Sequence, residues 1–300
     1  MSDVIQTLNY SSQAIDDFLG HAKAWATSNP VAAKSLITTA TQLRESEKFI
    51  LPENGNLLGV DVLKEHYSDL LRIPYPTIAL EFPTTLTFNG GSKKNILLCW
   101  TGTDFIDRNT WQGEIEPGQE SEIICFTNIF WSEQQRTWLP SPFAFWFHRE
   151  CLLPMDQTSR TKWQVHMVES TSCLDLLASM PPEQYDMEAN HNLKVGMDVI
   201  LEFCLTVNCE NVEQVSLPAP KLLNRKRLEK GRESFYSYRI LAIPGHNTQG
   251  TTGAGSHASP RLHLRRGHLR RLATGKVTWV RHTMVGSVDK GVVEKTYAVR

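Results

Sequence analysis

The sequence predicts an α+β fold: N-terminal helices and one long helix packed on an antiparallel sheet, followed by a basic β-rich C-terminal module. Three observations carry this reading. Apolar residues recur at three- and four-residue intervals near the start of the chain and again after Pro181-Pro182. Between Tyr75 and His148, short runs rich in β-branched and aromatic residues are separated by turn signals. Charge is also partitioned: residues 1–217 carry 14 Lys and Arg against 28 Asp and Glu, and residues 218–300 carry 17 against 4. An acidic α+β body over 1–217 and a basic module over 218–300, with a flexible loop at 245–256, are therefore expected.

The first helix is expected from Ser12 to Ser28, with Ile15, Phe18, Leu19, Ala22 and Trp25 or Ala26 on one stripe. Asn29-Pro30 reads as an N-cap and an N1 proline opening a second helix, with Leu36, Ala40 and Leu43 inward. A third helix is expected within Gly55–Arg72, ending before Pro74 because a residue ahead of proline avoids helical geometry. The expected strands are TIALEF (77–82), TLTF (85–88), NILLCW (95–100), EIICFTNIFW (122–131) and FAFWFH (143–148). Turns between them are marked by Asn89-Gly90-Gly91 and Pro117-Gly118. Leu193, Met197, Ile200, Leu201, Cys204 and Leu205 line the long helix, where Gly196 costs about 1 kcal/mol relative to alanine and so predicts a close helix contact.

With 41% hydrophobic residues, 8 Trp and 12 Phe in 300 residues, the chain has ample material for a core. No apolar run approaches the roughly 18 to 20 residues that span a bilayer, and Met1–Ile15 lacks the pattern of a signal peptide, so a cytoplasmic protein without a membrane partner is expected. Cys99, Cys125, Cys151, Cys173, Cys204 and Cys209 show no CxxC pair and no histidine at zinc spacing, which predicts buried free thiols and no metal. No Walker loop, GxGxxG after a strand, HExxH or GxSxG occurs, so no cofactor is expected. Asp104, Asp107, Glu114 and Glu116 read as a solvated loop rather than a divalent-metal cluster.

The basic part reads as a short cationic linker (Lys221–Arg232), a strand (Ser234–Ile243), the polar loop, and a hairpin over Arg261–Arg281 closed by a strand at Val292–Val299. Ala273-Thr274-Gly275 supplies the turn. A two-residue turn places Leu272 opposite Val277 and Arg270 opposite Trp279, whereas a three-residue loop places Leu269 opposite Trp279 and Arg271 opposite Val277. Ser259–Arg281 holds six arginines and one lysine, and planar guanidinium groups suit bidentate phosphate recognition. Arg265, Arg266, Arg270, Arg271, Lys276 and Arg281 are thus the expected nucleic-acid contacts, to RNA or DNA. The competing expectation is that body and tail neutralise each other across an internal interface.

The stretches PYPTIALEF, KLLNRKRLEKGR, GSHASPRLHLRRGHLRRLATGKVTWVR and GVVEKTYAV together resemble a family of tailed-bacteriophage and prophage proteins. The resemblance is strong over Pro218–Arg300 and implies an accessory protein acting in a bacterial cytoplasm, with no activity to transfer. Gly255-Ser256-His257 ahead of a basic hairpin is also reminiscent of the HicA-type messenger-RNA interferases. Only those three residues match; separately, the histidines of the basic part lie beside several arginines and titrate near neutral pH, which makes His257, His263 and His268 candidate general acids and bases for RNA cleavage. A third expectation is a protein–protein inhibitor of a host defence or nucleic-acid-processing factor, in which the acidic body competes for a nucleic-acid-binding surface.

Overall fold

Helix α1 (Tyr10–Trp25) and helix α2 (Pro30–Glu45) form where the apolar spacing expects them. The structure, a computed structural model, describes residues 7–58, 68–85, 93–102, 111–112, 123–153, 162–242, 261–265, 268–280, 283–285 and 287–292. Asn29 caps α2 through its side-chain oxygen, which accepts from the Ala32 N–H at 3.0 Å, and Leu36, Ala40 and Leu43 are buried. On α1 the buried stripe is Ala14, Ile15, Phe18 and Ala22, while Leu19 and Trp25 are exposed. The inward face is thus turned toward Ala14 relative to the expected stripe.

A nine-stranded sheet forms the middle layer. Its strands are β1 (Glu47–Ile50), β2 (Thr77–Pro83), β3 (Lys94–Thr101), β4 (Trp111–Gln112), β5 (Ile123–Ser132), β6 (Thr137–Leu153), β7 (Lys162–Ser170), β8 (Glu213–Leu217) and β9 (Tyr238–Ala242). The spatial order is β4-β7-β6-β5-β3-β2-β1-β9-β8. From β4 through β2 every pairing is antiparallel, as the aromatic runs predict. β1 then pairs parallel with both β2 and β9, so the complete sheet is mixed. Four residues of EKFI carry too little alternation to announce a strand.

Period-two alternation distributes the core to both faces of this sheet. Ile96, Leu98, Trp100, Cys125, Ala144 and Trp146 meet α1 and α2, whereas Leu97, Cys99, Phe126, Phe143, Phe145 and Phe147 meet the long helix α4 (Pro182–Val207). Helix α3 (Leu174–Ser179) adds Leu177 to the second cluster. Gly196 of α4 sits where a Cβ would lie 2.2 Å from the Phe126 ring, which is the close helix contact its presence predicts. Cys99, Cys125, Cys204 and Cys209 are buried free thiols, and burial pushes each thiol pKa up.

Of the third expected helix, the described ends are 3-10 turns at Glu53–Gly55 and Ser68–Leu70, and the stretch between 58 and 68 lies outside the described residues. The TLTF run, Asn89-Gly90-Gly91 and Pro117-Gly118 also lie outside them, apart from Thr85. Residues 221–232, expected as a linker, contain helix α5 (Lys221–Glu229). The charge boundary near Leu217 is not a boundary of the sheet, because β8 and β9 on either side of it pair with each other.

Beyond β9, the strands are β10 (Arg261–Arg265), β11 (His268–Arg271), β12 (Val277–Val280), β13 (Thr283–Val285) and β14 (Ser287–Val292). β11 and β12 form the expected hairpin, in the register that places Leu269 opposite Trp279 and Arg271 opposite Val277. The Leu272 N–H donates to the Lys276 carbonyl at 2.7 Å, which leaves a three-residue loop with Gly275 at φ 82°. The loop at 245–256 and most of the expected closing strand lie outside the described residues.

Candidate functional site

The basic hairpin lies against the body. Leu269 and Val277 are buried in an apolar patch with Leu70, Leu205 and Cys209, at the C-terminal end of α4. Asn211 clamps the hairpin edge: its side-chain oxygen accepts from the Trp279 N–H at 2.8 Å and its amide donates to the Trp279 carbonyl at 2.9 Å. Arg271 makes a two-pronged contact with the Asp69 carboxylate, at 2.9 and 3.1 Å, which holds that carboxyl below the usual range. Lys276 meets Glu210 at 2.7 Å.

Two of the six expected phosphate contacts therefore engage acidic residues of the body, as the neutralisation alternative expects for those positions. Both pairs are exposed, so each stabilises by at most about 1 kcal/mol, and the buried apolar pair sets the docking. Arg270 is exposed. Arg265 and His263 lie on β10 and His268 on β11. These two histidines thus sit on different small sheets, paired with Val285 and Val280. Arg266, Arg281 and His257 lie outside the described residues, as do Asp104, Asp107, Glu114 and Glu116. Among the described residues no group of three His, Cys, Asp or Glu side chains is placed to hold a metal.

A second assembly, which the sequence reading missed, surrounds α5. The helix is stopped by a Schellman arrangement: the Arg232 N–H donates to the Arg227 carbonyl, the Gly231 N–H donates to the Leu228 carbonyl, and Gly231 takes φ 64°. Helix-forming residues between Pro220 and Gly231 are the sequence signal for it. Polar side chains fasten α5 and the extended segment between it and β9 to the body. Arg227 donates to Asp16 at 2.8 Å and lies over the Phe235 ring at 4.3 Å. Asn224 both donates to the Phe235 carbonyl and accepts from its N–H. The Ser12 hydroxyl donates to the Ser234 carbonyl at 2.8 Å, and Arg44 pairs with Glu233 at 2.7 Å.

Beside these fastenings, Gln13, Asp16, Asp17, Trp131, Arg227, Gly231 and Arg232 line an open cleft of about 500 Å³. Asp16 and Asp17 are already engaged, by Arg227 and the Glu233 N–H and by Thr137 and the Trp138 N–H, so these carboxylates serve to join elements. Beside Tyr236 and Tyr238, at the end of that segment and the start of β9, lies a buried polar network. Glu81 of β2 accepts from the Tyr10 and Ser11 N–H groups, the Ser11 hydroxyl and the Tyr238 hydroxyl, at 2.6 to 2.9 Å. Lys48 of β1 donates to the Arg44 and Ser46 carbonyls, and its ammonium sits 3.8 Å above the Tyr236 ring.

Burial lowers the Lys48 pKa from the ordinary 10.5 to about 8, against the raising influence of Glu81, Glu47 and Glu233. Between those values the unfolded chain holds the proton and the folded chain does not, so stability rises with pH across the window. Relative to Lys48→Met, the wild type is therefore expected to gain up to about 3 kcal/mol between pH 8 and 10.5, read by urea denaturation at several pH values. A difference independent of pH would mean that Lys48 titrates as an exposed lysine does.

A family model described as the Anti-CRISPR type V subtype A2 family (AcrVA2-like) matches residues 56–287. The chain belongs to that family. No curated protein and no solved structure matched the chain. Membership in this anti-CRISPR family makes the chain a phage-encoded accessory protein, which agrees with the expected phage origin and does not bear on the tailed-phage family that the C-terminal motifs implied. The matched span runs from the end of the first 3-10 turn through β13, and so takes in the sheet from β2 to β9, α4, α5 and the basic hairpin together, while α1, α2 and β1 precede it. Among the described residues no helix of the anti-CRISPR family member is long and apolar enough to cross a membrane.

Proposed function

We propose that this protein disables a type V CRISPR defence in the host cytoplasm by contacting a host protein of that system. The observation that carries this reading is the family match over residues 56–287, which spans most of the acidic body and of the basic tail without a break. The hairpin supports it: with Leu269 and Val277 buried and Arg271 and Lys276 bound to Asp69 and Glu210, this part of the basic tail is built into the body's surface. A protein partner thus fits better than the expected phosphate contact alone.

The test is phage challenge of bacteria carrying a type V system targeted to that phage, with and without the protein expressed. Restored plaquing is the expected result, and plaquing that stays suppressed in the presence of soluble protein overturns the reading. A parallel filter-binding series on labelled RNA and DNA reads the alternative. Duplex DNA binding through four or more phosphate contacts would show a slope of roughly −4 in log affinity against log salt. Such a slope, abolished by Arg270→Ala with Arg271→Ala, would move the function to nucleic acid.

A further inference from the structure

Helix α5 is amphipathic in the inverted sense. No residue of it is buried, and its two body-facing anchors, Asn224 and Arg227, are polar. Leu222, Leu223 and Leu228 are instead 74%, 52% and 64% exposed. A single exposed leucine is ordinary, but three on a nine-residue helix, with no apolar side chain turned inward, are apolar side chains that the fold does not use. At roughly 100° per residue, the leucines are spread over the outer arc with Lys221, Arg225, Lys226 and Glu229 between them. The cap at Gly231 and the clamps from Asp16 and Phe235 hold this arc in one orientation, so a partner meets a helix already ordered.

We infer that the outer arc of α5 is the face by which this protein docks on its partner, and that it fits a surface on a host protein where apolar pockets alternate with carboxylates. The inference rests on the proposed protein contact and names its surface. Charge complementarity selects the occupant: Lys221, Arg225, Lys226 and Lys230 are exposed around the leucines, with Glu229 engaged by Arg225 at 3.8 Å. Phosphates would satisfy the cations and leave the leucines in water. A bilayer fits poorly as well, because immersing Leu222 and Leu228 together draws Arg225 and Glu229, which lie between them on the arc, into the acyl region. A protein surface that sets carboxylates between apolar pockets accepts both sets of side chains, because each cation then meets a carboxylate where it lies between two leucines.

The experiment uses the full chain carrying Leu222→Ser, Leu223→Ser and Leu228→Ser in the phage-challenge assay, with the melting temperature measured alongside. Because the three side chains are exposed, an unchanged melting temperature is expected, and the amount of protein needed for half-protection is expected to rise at least about ten-fold. Lys221→Glu with Arg225→Glu and Lys226→Glu is expected to weaken protection in the same direction. A wild type that fails to protect sinks the functional reading itself. A wild type that protects, with undiminished protection by the folded leucine variant, sinks the docking face alone. Three other results also overturn it: flotation of the wild type with phosphatidylserine vesicles that the leucine variant loses; RNA affinity that falls with the leucines; or a wild-type dimer in solution that the leucine variant dissociates while still protecting, which would assign the face to a second copy.

Discussion

Replacing Glu81 by leucine is expected to destabilise the fold by about 4 kcal/mol or more, because four donors would lose their acceptor at a site without water access. Two of them are the Tyr10 and Ser11 N–H groups, which open α1 and have no intrahelical partner. Asn9 precedes them in the left-handed region with no side-chain cap bond, so the carboxyl of β2 takes over the capping role from 70 residues away. Glu81→Gln separates charge from hydrogen bonding. Its carbonyl oxygen can keep the three donors now on one carboxyl oxygen, but its NH2 then faces the Tyr10 N–H, at a cost of about 1–3 kcal/mol.

The pH dependence of that pair has a defined sign. Burial raises the Glu81 pKa above its ordinary 4.5, against the lowering effect of the hydrogen bonds from Ser11, Tyr10 and Tyr238. The folded chain then binds the proton more tightly than the unfolded chain, and stability falls as pH rises from 4.5 toward the folded value. Relative to Glu81→Gln, the wild type is expected to lose stability over that range, measured as a shift in urea midpoint at constant slope. A relative gain with rising pH would show that the four donors outweigh desolvation.

Gly196→Ala is expected to cost about 3 kcal/mol, although alanine is the better helix former by about 1 kcal/mol. The added Cβ would lie 2.2 and 2.5 Å from two carbons of the Phe126 ring. That ring has little room to retreat, being stacked on Phe145 at 5.3 Å and set against the edge of Phe147 at 6.4 Å. Combining Gly196→Ala with Phe126→Leu removes the obstruction, and the pair is expected to be more stable than the sum of the two single losses by at least about 1 kcal/mol. Thermal and urea denaturation of the four proteins measures this directly. Additivity would place the cost of Gly196→Ala in the helix backbone and not at the ring.

The α2 cap at Asn29, the inward stripe of α4, the contact at Gly196 and the antiparallel core of the sheet were legible in the sequence, because each is a local pattern. The hairpin was legible as two registers, and tertiary structure chose between them. The choice that buries Leu269 and Val277 together on one side also lets Asn211 meet Trp279. Helix α5 escaped for the opposite reason. Periodicity finds helices whose apolar side chains turn inward, and Leu222, Leu223 and Leu228 turn outward.

By itself, then, the sequence determined helices α1, α2 and α4, strands β2, β3, β5 and β6, the α+β class and the division of charge between residues 1–217 and 218–300. Only the tertiary structure decided what those charges do. Arg271 finds Asp69 across 202 residues, Arg227 finds Asp16 across 211, and β9 finds β1 as a parallel neighbour. The physical reason is that helices and turns depend on neighbours a few residues away. A charge pair or a parallel strand pairing depends on where the whole chain has carried its distant parts, and net charge holds no record of which partner is near.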